Sequence, residues 1–461
     1  MKKRKLLRSA LAFALSLPML TPTAGAVTVT EAIPCKYDDA GSYSEGYAAV
    51  KIGQKHTFIN LSGQELTPFR YDSAHPFNNG AAIVTRDGRF GFLDTTGKEI
   101  VPCEFEEVRD FYENLAAAKK GGKWGFIDKT GKTVVPFKYD QADFFSEGLA
   151  HVCVRDGDTE KWGFVDHTGT EVIPCQYEKA DPFDNGFAPV RLNHKWNVVN
   201  ASGQLLSTEW SNNMFQFREG FATVRRNDKY GVINMTGKLV IPCLYDNAGY
   251  YFKDGIMAVS LNGKWGFIDG NGREVVPFKY EDAYLFKDGT AKVMLNGKWN
   301  LIDRSGKELL PGAAYDDIEI FHEGFAQANQ GEKYTFINRA GQEITSAKYD
   351  HCYQSSAFQD GLALVRKQDG PSVYDYKCGF IDRTGKEVVP CQYDSASGFS
   401  EGLASVGMNG KQGIIDTSGR LVTPLEYDVI YPFSESRAVV CVNGKYGFIG
   451  RTGGAITQTK T

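Results

Sequence analysis

Several features that mark enzymes, membrane proteins and nucleic-acid binders are missing from this sequence. No apolar run after residue 26 reaches the roughly 20 residues a membrane helix needs. Cys-x-x-C pairs, Cys/His clusters and the acidic density of a calcium loop are absent, so no metal site is expected. A nucleophile elbow, a P-loop and a dinucleotide fingerprint in a supporting context are also lacking. No sustained helical periodicity is visible, and no basic block suits nucleic acid or anionic lipid. Histidine is scarce at seven residues (His56, His75, His151, His167, His194, His322, His351), and they share no position that would gather them into a site.

What is present begins with a leader. Lys2, Lys3, Arg4, Lys5 and Arg8 precede an apolar stretch from Ala10 to Leu20, and Ala24-Gly25-Ala26 follows. This is the layout of a secretory signal peptide over residues 1–26, with the mature chain starting at Val27. Without the five basic residues, 47 Lys and Arg face 56 Asp and Glu. The expected product is exported and mildly acidic, either secreted or held non-covalently at the cell envelope.

The remainder, residues 27–461, repeats itself. KWGFIDKTGKTVVPFKYDQA (Lys123 to Ala142) and KWGFIDGNGREVVPFKYEDA (Lys264 to Ala283) agree at fourteen of twenty positions. The Tyr-Asp step of this pattern recurs from Tyr37, Tyr71, Phe105, Tyr139, Tyr177, Trp210, Tyr245, Tyr280, Tyr315, Tyr349, Tyr393 and Tyr427. That makes about twelve units of about 34 residues with no linker between them, the mark of a repeat architecture.

Within a unit the local signals are strands and turns. Asn-Gly, as at Asn262-Gly263, is a two-residue hairpin signal because both residues tolerate positive φ. The D-x-[TS]-G step predicts a turn capped by its Asp. The Pro of V-V-P suits a place that needs no ladder donor. The Phe-Ile pair of KWGFID is apolar in every unit, so both faces of that strand need cover. The predicted fold is all-β: three- to four-stranded antiparallel units stacked face to face, either as an open β-superhelix or as one or more β-propellers. Third-strand-like pieces at both ends of the chain favour the open form.

The K-W-G-F-I-D-x-[TS]-G-K core with its preceding E-G-L-A-x-V resembles the WG-repeat (KWG-repeat) family of bacterial proteins, closest at Lys123-Trp124-Gly125, Lys161-Trp162-Gly163 and Lys264-Trp265-Gly266. Thr57, Asn197, Asn300 and Thr335 replace the Gly. The resemblance implies a repeat scaffold and supplies no catalytic residues.

Each candidate for chemistry has a plainer explanation in the repeat. Cys35, Cys103, Cys175, Cys243 and Cys391 share a position with Phe69, Phe137 and Phe278, as buried apolar thiols would. The repeated carboxylates read as turn caps, including the Asp416-Thr417-Ser418-Gly419 triplet. Trp124, Trp162, Trp196, Trp265 and Trp299 share a register with His56 and Gln412. A column that admits Gln and His is expected to be partly open, so these five Trp are the candidate ligand-binding residues. Packing between units is the competing explanation. Insertions near Arg155–Glu160 and Arg366–Tyr376 mark further loops.

The expected function is an exported, non-enzymatic binding scaffold with no cofactor and no metal, acting on a protein partner. The alternative is a cell-wall or polysaccharide binder using the Trp/Tyr column. A hydrolase ranks third, because it needs one non-repeated polar cluster in a pocket.

Overall fold

The computed structural model describes residues 27–206, 211–212, 217–249, 251–310, 315–331, 333–345, 349–350, 357–372 and 374–452. The proposed leader, Trp210 and the second end piece lie outside them. The described residues form twelve small antiparallel sheets and no helix.

The third sheet shows the plan. A short edge strand, Glu107–Val108, pairs with Leu115–Lys120, which pairs with Lys123–Asp128, which pairs with Thr133–Tyr139. Two tight turns fold it. In the seventh sheet, Asn262 (φ 53°) and Gly263 (φ 75°) close the central hairpin with the left-handed geometry that Asn-Gly favours. The E-G step is a second turn of the same kind: Glu147 (φ 53°) and Gly148 (φ 86°) link Ser146 to Leu149. The D-x-[TS]-G turn is capped as expected. Asp128 Oδ1 accepts from the Thr130 and Lys132 amides and the Thr130 hydroxyl at 2.6–3.1 Å.

The Gly of K-W-G has a steric cause. A Cβ at Gly125 would lie 2.5 Å from the Val135 carbonyl oxygen and 2.9 Å from Phe137 N. The V-V-P segment thus crosses where a side chain would stand, through a bulge that accommodates Pro136. All seven sheets with a regular strand here carry Gly: Gly91, Gly125, Gly163, Gly231, Gly266, Gly379 and Gly447. Where Thr57, Asn300 or Thr335 stands instead, the segment bows away and touches only through isolated bridges. The substituting side chain then bonds its backbone: Thr57 to the Thr67 carbonyl, Asn300 to that of Leu310, and Thr335 to that of Thr345.

The core lies between sheets. Phe126, Val135 and Tyr139 of the third sheet pack on Phe145, Ala150, Val152 and Val165 of the fourth. Both faces of each sheet are covered in this way, as the paired apolar residues require. Twelve such clusters are present, and one joins the last sheet to the first: Val439 and Phe448 pack with Ile33, Tyr37, Tyr43, Val50 and Ile59. A row of twelve sheets has eleven internal interfaces, so the twelfth returns the series on itself. The join is also a ladder. Thr28–Tyr37 pairs antiparallel with Lys445–Thr452, so the first strand completes the last sheet. The duplicate ends had favoured an open row. Instead, Thr28–Tyr37 acts as the missing third strand of the twelfth unit.

One register assignment needs correction. In the sixth unit Ser211, not Trp210, takes the Tyr position, because it bridges to Trp196 as Tyr71 does to His56. No disulfide joins the eight described cysteines. Cys153, Cys378 and Cys441 are buried, and the five that follow Pro are half-buried rather than fully covered. Several sit over the strand, with Cys103 Sγ 3.8 Å from the Val84 carbonyl.

Candidate functional site

The repeated polar residues build two circuits that hold sheet to sheet. At the Asn-Gly end, the Lys of K-W-G pairs with the Asp of Tyr-Asp that opens the next unit. The pairs are Lys55–Asp72, Lys123–Asp140, Lys229–Asp246, Lys298–Asp316, Lys333–Asp350, Lys377–Asp394, Lys411–Asp428 and, across the chain ends, Lys445–Asp38. The other oxygen of the same Asp caps that unit's own hairpin: Asp140 Oδ2 accepts from Arg155 N at 2.8 Å. The hydrogen bond to Lys123 holds the Asp140 carboxyl below its ordinary range.

At the opposite end, the acid of the E-G step in seven units accepts from the E-G turn of the following unit. Glu45 bonds Gly80 N, Glu147 bonds Asn185 N and Gly186 N, Glu219 bonds Asp254 N and Gly255 N, Asp360 bonds Gly402 N, and Glu435 closes the circuit on Gly46 N. These acids are more than local turn caps. Their repetition reflects a connection between repeats.

The five Trp sit between these circuits. Trp124 is buried at 7 % exposure within the cluster joining the third and fourth sheets. Trp162, Trp196, Trp265 and Trp299 are half-buried, each packed against the cluster toward the next sheet with one edge open. They are not one continuous row, because Tyr230 occupies the register between Trp196 and Trp265. Cations lie over two of the rings: Lys292 is 4.5 Å from Trp299, and Arg109 is 5.5 Å from Trp124.

The residue after the short edge strand donates its amide to the long strand beside it in unit after unit. The frame there is constant and the side chain is not: Gly41, His75, Arg109, Asp143, Asp181, Gly249, Tyr284, Glu319, Ser397 and Tyr431. Most are exposed, Tyr284 at 55 % and Tyr431 at 42 %. The residue facing each one varies as well, through Ala49, Ile83, Ala117, His151, Lys292, Gln327 and Ser405. This band borders the Trp register. Tyr284 lies 5.5 Å from Trp299, and His151 lies 5.3 Å from Trp162.

One part of the band is a polar cluster with no copy elsewhere. Arg109 Nη1 is 3.6 Å from Asp143 Oδ1, and Asp143 Oδ2 is 3.7 Å from His151 Nε2. His151 is 6 % exposed, and its buried Nδ1 has no hydrogen-bond partner. Burial pushes the imidazole pKa down, Asp143 opposes that, and Arg109 reinforces it. A second feature is a cavity of about 340 Å³ lined by Ser397, Ser405, Tyr431 and Phe433. The sequence signal for the band is variability before the Phe of Y-D-x-A-x-x-F, where a search for repetition does not look.

Both insertions lie at the Asn-Gly end. One lengthens the hairpin of Leu149–Asp156 and Thr159–Asp166, and the other presents Tyr374 at 83 % exposure. Among the described residues no group of three His, Cys, Asp or Glu side chains is placed to hold a metal, and no helix is long and apolar enough to cross a membrane.

Solved structures resemble the chain only distantly. A crystal structure of the eukaryotic initiation factor is 10 % identical over 75 % of this chain and 95 % of its own, with a TM-score of 0.33. Kluyveromyces lactis Hsv2p is 9 % identical over 63 % of this chain and 97 % of its own, with a TM-score of 0.27. PorZ, a bacterial surface component of the type-IX secretion system of Porphyromonas gingivalis, is 10 % identical over 92 % of this chain and 73 % of its own, at 0.19. Among curated proteins none matches the chain. The model of the WG containing repeat matches eleven segments: residues 30–55, 57–89, 90–124, 124–157, 162–196, 230–265, 265–299, 301–334, 334–370, 379–411 and 413–446. With the repeat frame traced residue by residue and these matches spanning most of its length, the chain belongs to the WG containing repeat family.

Proposed function

We propose that the chain is an exported, non-enzymatic binding scaffold whose partner is a protein. The observation that carries this reading is the contrast between frame and band. The charge circuits, turns and interfaces repeat, while one position, exposed in most of the ten units where it is described, changes its chemistry. Repeat scaffolds concentrate recognition in positions that stability leaves free, and many weak contacts add along such a surface.

The test is site-specific photo-crosslinking on purified Val27–Thr461. A photoreactive residue at Tyr284 or Tyr431 is expected to yield a discrete protein adduct from envelope extract, and one at Asn262 in the frame is not. Equal labelling from all three sites argues against the reading.

A second reading has its own support. Four Trp keep an open edge, and such edges can stack on sugar rings. It predicts saturable co-sedimentation with insoluble cell-wall material that is lost when Trp265 and Trp299 are both replaced. No sedimentation with native or teichoic-acid-stripped wall removes it.

A further inference from the structure

At the E-G end, the residue after the Asp or Asn of D-x-[TS]-G points back toward the acid of the preceding unit. In two places the acid holds two donors from the following unit. Glu113 accepts from Gly148 N, and its Oε2 lies 2.9 Å from His167 Nε2. Glu323 accepts from Gly361 N and pairs with Arg383 at 2.8 Å. Arg304 likewise reaches Asp254 Oδ2 at 3.0 Å, and Arg451 pairs with Glu401. At Glu113 and Glu323 an acid, a turn amide and a basic side chain thus form a three-part contact, and at Asp254 and Glu401 the acid and the cation are paired.

In the seventh unit that residue is Gly270. Glu219 keeps the amide half of the contact, with Asp254 N and Gly255 N at 2.8 Å, and among the described residues no cation pairs with it. Leu61, Thr95, Ala201 and Thr417 are also uncharged, yet each leaves a side chain in place. Gly270 leaves none. A notch of about 580 Å³ opens there, with Glu219 and Asn234 as polar lining and Phe221, Met235, Leu239 and Val240 as apolar lining. Met235 is 41 % exposed at the rim. Lys238, the one cation in the lining, is exposed and free to extend into solvent.

We infer that this notch binds the guanidinium or ammonium group of a Lys or Arg side chain presented by a partner protein. The partner supplies the third part of a contact that other units complete internally. Carboxylate recognition of Arg is strongest when charge-assisted, and the apolar walls suit an aliphatic stem and a planar head. The inference rests on the protein-partner reading, but its test does not depend on the crosslinking result.

The experiment titrates acetyl-arginine-amide into Val27–Thr461 carrying 13C-methyl methionine, with acetyl-citrulline-amide as the uncharged isostere. The expected result is a saturable shift of the Met235 methyl at millimolar arginine amide, with Met257 and Met408 unmoved and affinity for the citrulline compound at least about tenfold weaker. Glu219→Gln is expected to weaken the arginine titration by at least about tenfold. Gly270→Arg, at a position without positive φ where the new Cβ comes within 3.0 Å of the tip of the Phe221 ring and moves it aside, is expected to abolish it by supplying the cation internally. A Met235 methyl that stays still, or that shifts equally with both compounds, overturns the inference with no variant needed. Such a failure leaves the scaffold reading standing if Tyr284 and Tyr431 still give discrete adducts.

Discussion

Replacing Gly125 by Ala tests the account of the repeat most directly. The added Cβ lies 2.5 Å from the Val135 carbonyl oxygen and 2.9 Å from both Pro136 C and Phe137 N. These are backbone atoms, so no side-chain rotation relieves the contact. Two effects favour the substitution: a buried methyl contributes up to about 0.8 kcal/mol, and Ala loses about 0.5–1 kcal/mol less chain entropy than Gly. Overpacking of this kind typically costs about 1–3 kcal/mol and sometimes more. The escape route is to unpair Thr133–Tyr139, which exposes Val135 and Tyr139, both fully buried, at roughly 1.5–3 kcal/mol each. With the cost at the upper end of that range, because no side chain can give way, a net loss of about 1–2 kcal/mol remains, and the escape caps it at roughly 2–5 kcal/mol. The assay is urea unfolding of Val27–Thr461 followed by tryptophan fluorescence. Gly413→Ala is the internal control, because Pro424 O is 2.9 Å away and the segment there is already bridged rather than paired. Its loss is expected to stay below about 1 kcal/mol. An unchanged midpoint for Gly125→Ala, or a larger loss for Gly413→Ala, refutes the steric explanation.

Other predictions follow from the circuits and the closure. Asp38, Asp72, Asp140, Asp246, Asp316, Asp394 and Asp428 all have carboxyl pKa values lowered first by a Lys hydrogen bond. A lowered folded-state pKa gives stability that is present above the unfolded value, near 3.9, and lost as pH falls through the folded value. The part of the urea midpoint owed to these pairs is therefore expected to be unchanged from pH 7 to about 5 and to drop steeply below about 4; a midpoint that holds at pH 3 contradicts the role given to these pairs. The His151 pKa is lowered chiefly by burial, so its contribution is present above about 6.5 and is lost as pH falls. His151→Phe should flatten the pH 5–7 part of the stability profile, and an unaltered slope would show that the imidazole is not held neutral. Removing residues 27–37 strips the closing strand from Lys445–Thr452 and uncovers Val439 and Phe448. The shortened protein is expected to associate in size-exclusion chromatography with light scattering, as a bare apolar sheet edge does. A stable monomer of unchanged urea midpoint would mean that closure adds nothing.

Much of this arrangement is legible in the residues, because the turns and strands are local. Asn-Gly, D-x-[TS]-G and the Phe-Ile pair each act within a few positions, and all appear where the pattern puts them. The circuits are harder to read, since their partners lie in different units. Lys123 and Asp140 stand seventeen residues apart, and so do Lys55 and Asp72, while Lys298 and Asp316 stand eighteen apart, a nearly regular interval that only becomes a contact once sheets are stacked. The Gly of K-W-G resembles a turn residue and is in fact a passage for the V-V-P backbone. The Trp register allowed both packing between units and partial exposure; four of its members are half-buried, and Trp124 is covered. The variable band escaped notice for the reason that makes it interesting: it is the place where the units differ. Closure escaped because both chain ends spell a third strand and only their pairing tells them apart.

That pairing sets an order of events. Thr28 meets Thr452 across 424 positions, the longest-range ladder contact in the molecule. Neighbouring sheets can form as soon as two units exist, but the last sheet stays incomplete until the opposite end arrives, and contacts of such separation form slowly. A nascent chain must therefore carry Ile33 and Tyr37 unsatisfied while every other unit is made. Only a full-length chain can conceal them, so the outermost strand works as a check on completeness: a product cut short anywhere presents two raw edges to the quality-control machinery, and an intact one presents none at this seam.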